Sequence, residues 1–384
     1  MRKLSLENPD VMDIVNHQVI HMDQGITYTP EYVATRQMRH YPSRTAQIIR
    51  SVYNGELAAS QYGADTVFAS ILSGQGERWQ NFGEDPNGYI LTVMLGRELF
   101  YKKGFYKEEV DALKETIAKN DGFLPKDQEG IDAWAQALPM NKESRTGLLL
   151  DEATFAYAAG SREKLGTFLK KKNIEIASFG PYFTGFDYLV NGCIDEGTAV
   201  MEKLLADWKE QGITTMITLT GQSQYMFTVL LSYLGLETDI EFISILDLAE
   251  RFDAENAYIY GGSYLTRYVR KDGRLNELLV NTEEEPLLSA PEFLPELCAD
   301  KRRNVVGIWT PPLCAEYNTL AHSTDSQKAA DQKALQEQIY ADSLAAIKEA
   351  SFGTLLVCDP FAYKALQEHG YPKGKMVYYL DVIR

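Results

Sequence analysis

The sequence predicts a fold that combines α+β and α/β regions: an all-helical N-terminal domain, then two duplicated α/β half-domains with small parallel sheets. A strand–turn–helix–strand pattern predicts the half-domains because it occurs twice, over residues 209–245 and again over residues 348–380. Such an internal repeat indicates two similar units packed about a pseudo-twofold axis. Strands that alternate with helices at this spacing are typical of a parallel sheet with helices on its faces.

Three regions follow one another along the chain. Residues 1–140 are predicted to form the helical domain, in which the apolar periodicity indicates helices at 41–57, 66–74, 88–104 and 107–125. Ser43 is the expected cap of the first of these helices. The first half-domain is expected over residues 146–280, with strands, helices and strands in alternation. After a proline-containing acidic linker at 281–296, the second half-domain is expected over residues 303–384, and it opens with a strand at 304–309.

The composition is that of an ordinary globular protein. Of the 384 residues, 45% are hydrophobic and 24% are charged, and no apolar run approaches the roughly 20 residues that cross a membrane. The net charge of −16 repels phosphate backbones and anionic lipids, so nucleic-acid binding is not expected. The first ten residues lack the apolar core of a signal peptide. The sequence therefore predicts a cytoplasmic protein without membrane insertion.

Cysteines are few and widely separated. The chain has four, Cys193, Cys298, Cys314 and Cys358, and no two of them form a CxxC pair. Structural zinc sites and most iron–sulfur sites take thiolates from close pairs, because one local turn can direct two sulfur atoms to one metal. We therefore expect reduced and mostly buried cysteines, as in other cytosolic proteins.

Short turn segments recur at related places in the two half-domains and in the helical domain. In the helical domain, Ser73, Gly76 and Asp85 lie in a polar segment that ends in the sequence DPNG. The half-domains contribute Phe183-Thr184-Gly185 and Gly221-Gln222-Ser223-Gln224-Tyr225 in the first, and Thr310-Pro311-Pro312 and Asp359-Pro360-Phe361-Ala362 in the second.

In their order and spacing, these segments resemble the iron–sulfur subunits of the heterodisulfide reductase and glycolate oxidase type. In that family a helical ferredoxin-like domain precedes two cysteine-rich domains named after a Cys-Cys-Gly motif. The resemblance implies that the cluster ligands of the family would fall at positions that this chain fills with other residues: Ser73, Gly76, Asp85, Phe183, Thr184, Gly221, Gln224, Pro312, Asp359 and Ala362. Two ferredoxin-type clusters need eight thiolates, so neither a cluster nor another metal cofactor is expected.

Three functions are compatible with this pattern. The first is a cluster-free homologue that serves as a structural or regulatory subunit of a cytoplasmic redox complex, with flavin or iron–sulfur proteins as partners. Since apolar strands and amphipathic helices are intact, burial alone can stabilise such a fold. The vacated cluster positions would then be filled by large side chains, for which the candidates are Phe183, Tyr225, Phe361 and Trp79.

The second function is an enzyme of unknown catalytic residues that binds a small molecule in the cleft between the half-domains. Candidate cleft residues are Thr184, Gln222, Gln224, Cys314, Cys358 and Asp359. The turn with Gln222 and Gln224 follows a strand, where parallel sheets bind ligands, although both glutamines could instead cap the next helix. The third function keeps one atypical iron–sulfur or metal site, formed by Cys193, Cys314 and Cys358, with His322 or Asp359 as a further ligand.

Overall fold

A computed structural model describes residues 2–21, 29–74, 88–254, 257–280, 305–306, 319–350 and 353–384. The described residues form two four-stranded parallel sheets, with the strand orders β2-β1-β3-β4 and β6-β5-β7-β8. The strands are β1 Thr146–Leu149, β2 Ser178–Phe179, β3 Thr215–Thr218, β4 Glu241–Ser244, β5 Ala257–Tyr260, β6 Val305–Val306, β7 Thr354–Val357 and β8 Met376–Tyr378. The two orders become identical when β5 is equated with β1, as the sequence repeat predicts.

Helices precede the first sheet and connect the strands of both sheets. Those before β1 are α1 Val11–His21, α2 Pro30–Thr35, α3 Pro42–Tyr53, α4 Gln61–Phe68, α5 Gly88–Lys102, α6 Lys107–Asn120 and α7 Gln128–Ala137. Those around the first sheet are α8 Glu152–Tyr157, α9 Arg162–Lys171, α10 Phe186–Val190, α11 Ile194–Glu210, α12 Gly221–Tyr225, α13 Leu231–Leu234 and α14 Ile245–Leu248. Those around the second are α15 Asp272–Leu278, α16 Gln327–Ala350 and α17 Pro360–Glu368.

Two short π-helical segments, Met226–Leu230 and Tyr264–Tyr268, complete the framework together with short 3₁₀ turns such as Met38–His40. None of the described helices combines the length and the apolar character that a membrane span requires.

The boundary between the two α/β units lies earlier than the sequence analysis placed it. β5 pairs with β6 and β7, so it belongs to the second sheet, and the expected first half-domain of 146–280 extends too far. We therefore use "first unit" for β1–β4 and "second unit" for residues 257–384. The repeat in the sequence, strand–turn–helix–strand, covers only the second half of each unit. It therefore does not mark β5 as the first strand of the second unit. β5 is short and ends at Gly261-Gly262, and it is the counterpart of β1.

The helices α1–α6 form a layer that also includes part of the second unit, whereas α7 packs against α9 of the first unit. α16 packs against α2, and the turn before α16 packs against α6. Ser326 Oγ donates a hydrogen bond to Glu109 Oε1 at 2.7 Å, which fixes the start of α16 on α6. The helical domain expected at residues 1–140 is thus completed by a helix that comes about two hundred residues later in the chain.

Two local predictions in this layer are wrong. α3 begins at Pro42 after Tyr41, so Ser43 lies inside the helix and does not cap it. The helix expected at 66–74 ends at Phe68, and Leu72 and Gly74 have left-handed backbone angles with φ of 55° and 70°. Buried side chains bind the backbone of this loop, 69–74: Arg97 donates to the Ser70 carbonyl, and Glu31 Oε1 accepts from the Ile71 N–H at 2.7 Å. These contacts replace the hydrogen bonds that a continued helix would supply.

Candidate functional site

The carboxyl ends of the central strands of the two sheets face each other. α8, which follows β1, packs against α17, which follows β7; α12, which follows β3, packs against the π-helical segment that follows β5. A twofold rotation that exchanges the units also exchanges these two contacts. The backbones approach closely here, since a Cβ atom added to Gly221 would lie 2.3 Å from the amide nitrogen of Leu265. We call this region the joint edge; parallel sheets bind ligands at such carboxyl ends.

Three of the strands that end at the joint edge, β1, β3 and β7, are each followed by a side chain that caps the next helix. Asp151 Oδ1 accepts a hydrogen bond from the Thr154 N–H at 2.8 Å, and Asp359 Oδ1 accepts one from the Ala362 N–H at 2.9 Å. Thr220 Oγ1 accepts from the Ser223 N–H at 3.1 Å and is the cap of α12. Capping is therefore not the role of the two glutamines: they lie in the first turn of this helix.

A small cavity lies at the joint edge. Its volume is about 20 Å³, which is room for roughly one water molecule. The sequence analysis had named Phe183, Thr184, Gln222 and Phe361, and the structure brings these four together. The complete lining is Phe123, Leu124, Asp151, Glu152, Ala153, Tyr182, Phe183, Thr184, Asp187, Gln222 and Phe361.

Two carboxyl groups that the sequence analysis missed, Glu152 and Asp187, line this cavity. Glu152 Oε2 accepts hydrogen bonds from the N–H groups of Phe123 at 3.0 Å and Leu124 at 3.4 Å, and Oε1 lies 3.4 Å from Lys126 Nζ. Burial raises the pKa of Glu152 to about 7 against the opposing effect of the Lys126 charge. Burial also raises the pKa of Asp187 to about 7, and the negative charge of Glu152 adds to this shift. Near neutral pH both groups can therefore accept or release a proton.

A third carboxyl group, Asp151, joins the ends of β1 and β3. Its Oδ2 accepts hydrogen bonds from the hydroxyl groups of Thr220 at 3.0 Å, Thr154 at 3.2 Å and Ser223 at 3.4 Å. Burial raises the pKa of Asp151, whereas these hydrogen bonds lower it. The second unit contacts the same region, since the hydroxyl group of Tyr379 donates a hydrogen bond to the carbonyl of Leu219, the residue before Thr220.

Aromatic side chains from the two units pack against one another at the joint edge. Tyr225 is fully buried, and its ring centroid lies 5.0 Å from that of Tyr268 and 5.7 Å from that of Tyr264. Phe361 is also buried and packs edge-on against Tyr157, with ring centroids 5.7 Å apart. Phe183 lies at the margin of the cavity, and Trp79 is outside the described residues.

The other candidate cleft residues and former cluster positions that the structure describes do not line this cavity. Gln224 is buried near the joint edge, but it does not line the cavity. Cys358 is buried at the end of β7, where burial raises the pKa of its thiol well above the usual range. Ala362 is buried in the first turn of α17, and Ser73 lies in the loop at residues 69–74. Gly76, Asp85, Pro312 and Cys314 are outside the described residues.

The described residues do not support the predicted metal site formed by several cysteines. Cys193 precedes α11, where burial raises the pKa of its thiol to about 12, and it packs in a different hydrophobic cluster from Cys358. Over the described ranges, no group of three or more His, Cys, Asp or Glu side chains is arranged to hold a metal ion.

The fold and the site define a duplicated α/β protein whose two parallel sheets meet at their carboxyl ends behind a helical layer. Comparisons with protein families, with curated proteins and with solved structures find no match to this chain. The residues of the joint edge are therefore the basis for assigning a function.

Proposed function

We propose that the joint edge binds a small polar molecule and that Glu152 and Asp187 exchange protons with it. The observation behind this proposal is a pair of carboxyl groups, each with a pKa of about 7, in a cavity at the carboxyl ends of two parallel sheets. Groups with shifted pKa values concentrate at functional sites, and a general acid or base works best when its pKa lies near the working pH.

The lining supplies the remaining requirements of such a site. Gln222 and Thr184 can donate and accept hydrogen bonds and can therefore orient a polar ligand. Phe361, from the second unit, and Tyr182 contribute aromatic rings to the lining beside the carboxyl pair. Because the cavity holds about one water molecule, only the reacting end of a ligand fits inside, and the rest of it has to lie outside the cavity.

The proton-exchange part of the proposal can be tested by infrared difference spectroscopy of the full chain between pH 6 and pH 8. We expect a protonated-carboxyl band that disappears over this range, and we expect Glu152→Gln and Asp187→Asn each to remove part of it. Glu202→Gln is the matched control, because this carboxyl group is exposed on α11. A spectrum that the two cavity variants leave unchanged would contradict the proposal.

The binding part can be tested by native mass spectrometry of the protein purified from its own host. We expect a retained small molecule with the wild-type chain and its loss with Gln222→Leu, while Gln211→Leu, an exposed residue just after α11, keeps it. Retention by both variants would show that the ligand lies elsewhere.

A second candidate function is supported by the aromatic packing of the joint edge. Tyr225 and Phe361 occupy positions at or beside those where the resembling family holds clusters, and both are buried. This packing favours a cluster-free homologue of heterodisulfide-reductase-type subunits, one that acts as a structural or regulatory subunit of a redox complex. Flavin or iron–sulfur proteins would then be its partners.

Iron and acid-labile sulfide analysis after anaerobic purification, combined with identification of co-purifying proteins, tests this second function. We expect no stoichiometric iron in the chain itself and recovery of a flavin or iron–sulfur subunit. Several iron atoms per chain would overturn the cluster-free interpretation and would favour the atypical metal site.

A further inference from the structure

A groove on the helical layer contains three of the four large hydrophobic side chains that are exposed among the described residues. Among the described residues, the large hydrophobic side chains that are exposed are Met38 at 59%, Leu57 at 47%, Tyr62 at 59% and Met140 at 40%. The first three line the same groove, which has a volume of about 380 Å³. Exposed apolar residues scattered singly need no explanation, but a cluster of them marks an interaction site.

One wall of the groove is a regular stripe along α3. Arg44, Gln47, Ile48 and Ser51 line it at spacings of three and four residues, whereas the opposite face of α3 is buried in the helical layer. Residues at this spacing stand one above the other along a helix, so they present a surface against which a second helix can pack lengthwise. Met38 and Leu57 lie on either side of this stripe along the chain, and Tyr62 comes from α4.

The charge of the groove is opposite to that of the whole chain. Arg39 and Arg44 are the charged residues of its lining, and no acidic residue belongs to that lining, whereas the whole chain has a net charge of −16. The Glu56 carboxylate beside the groove accepts a hydrogen bond from the Ser51 hydroxyl at 3.2 Å. Arg39 and Arg44 line the groove directly, and the Arg39 guanidinium lies 5.5 Å from the centre of the Tyr62 ring. A binding partner therefore finds apolar contacts and arginine side chains in the same place.

We propose that this groove binds an acidic amphipathic helix of a partner protein. Two or three apolar side chains of that helix would pack between Met38, Leu57 and Tyr62, and its carboxylates would pair with Arg39 and Arg44. Met, Tyr and Arg are the residue types that interfaces favour, and helices bind grooves through anchors at i, i+3, i+4 and i+7. Nucleic acid fits less well, because half of the lining residues are hydrophobic and the remainder of the chain repels phosphate. This inference is independent of the function proposed for the joint edge.

The test uses the full chain and a fluorescein-labelled synthetic peptide of about four helical turns, roughly 14 residues. The peptide has Leu at i, i+3, i+4 and i+7 and Glu at the flanking positions; a matched peptide has Lys in place of every Glu. Fluorescence anisotropy should show the acidic peptide binding at least about tenfold more tightly than the basic one. Binding should weaken as salt is added, since exposed charges are screened.

Substitutions locate the binding on the groove. Met38→Ser and Arg44→Glu should each weaken binding of the acidic peptide by about tenfold. Met140→Ser and Lys203→Glu are the matched controls, because they change an exposed methionine and an exposed lysine outside the groove, and they should leave binding within about twofold. Circular dichroism and thermal unfolding of each variant separate loss of binding from loss of fold.

Four results would overturn the proposal: no binding of the acidic peptide, equal binding of both peptides, equal effects of groove and control variants, or tighter binding of an oligo-dT strand than of the peptide. Analytical ultracentrifugation without peptide measures the oligomeric state and so tests whether a second copy of this chain occupies the groove. A dimer that Met38→Ser dissociates would assign the groove to a second copy of this chain instead.

Discussion

At the scale of single residues, burial at the joint edge favours the protonated form of three carboxyl groups that would be ionised in water at neutral pH. Glu152, Asp187 and Asp151 all have raised pKa values, and burial is the largest cause for each. Only Asp151 is compensated by three hydroxyl donors. The first two therefore remain close to half protonated near neutral pH, and their protonation affects folding as well as any chemistry.

The charge of Asp187 should make the stability of the protein depend on pH. Its pKa rises from 3.8 in the unfolded chain to about 7 in the folded one. Between these values the folded state binds more protons, so the free energy of unfolding falls as pH rises through this window. Asp187→Asn cannot ionise, so its stability relative to the wild type should increase by about 1–2 kcal/mol between pH 4.5 and pH 8, allowing for partial solvent screening.

Urea unfolding at the two pH values measures this difference. Glu202→Gln, which removes an exposed carboxyl group, should follow the wild type at both. Parallel pH profiles for the wild type and Asp187→Asn would show that Asp187 titrates in its ordinary range.

At the scale of elements, regular periodicity was predictable and tertiary contacts were not. The apolar run before Asp359 predicts β7 at residues 354–357, and the structure places it there. The segment 66–74 also has helical periodicity, but α4 stops at Phe68 because Arg97 and Glu31 bind the following backbone groups. The π-helical segments were not predicted either, since one extra residue in a turn leaves little mark on a 3.6-residue pattern.

The contact of α12 with the π-helical segment of the second unit depends on the absence of a side chain at Gly221. A Cβ atom there would approach the Leu265 amide nitrogen to 2.3 Å and its Cα to 2.5 Å, and backbone atoms cannot move aside cheaply. Gly221→Ala should therefore lower the free energy of unfolding by about 2–3 kcal/mol. Gly160→Ala is the control, because nothing lies within 4 Å of its added Cβ atom. Chemical denaturation of both variants makes the comparison, and equal stabilities would mean that the units separate without cost.

At the scale of the whole molecule, the sequence could predict some of the residues that line the cavity and not others. The rule that ligands bind at the carboxyl ends of parallel strands located Gln222, and the family resemblance located Phe183, Thr184 and Phe361; all four line the cavity. Glu152 lies shortly after β1 and was missed, because an acidic residue after a strand is common and its burial depends on other elements. The N–H groups that hold it, those of Phe123 and Leu124, belong to the helical layer.

The loop at residues 69–74 connects all parts of the molecule. Arg97 of α5 donates from Nη1 to the Val190 carbonyl of the first unit at 2.6 Å and from Nη2 to the Phe68 carbonyl at 3.2 Å. From the second unit, Arg267 Nη1 donates to the Ser73 carbonyl at 3.1 Å, and the Tyr268 hydroxyl donates to the Leu72 carbonyl at 3.0 Å. Arg97, which also donates to the Ser70 carbonyl, and this loop therefore together link the helical layer to both units.

Arg97 should consequently stabilise the attachment of the helical layer more than the α/β units themselves. Arg97→Met leaves several buried carbonyl groups without their donor and should lower the free energy of unfolding by about 3 kcal/mol. Hydrogen exchange should accelerate in residues 69–74 and α4, while β1 and β7 keep their protection. Arg50→Met, at a half-buried arginine on α3, should leave this pattern unchanged. If Arg97→Met accelerated exchange equally in β1, β7 and α4, the three parts would unfold as one cooperative unit, and the loop would not be a separable connection.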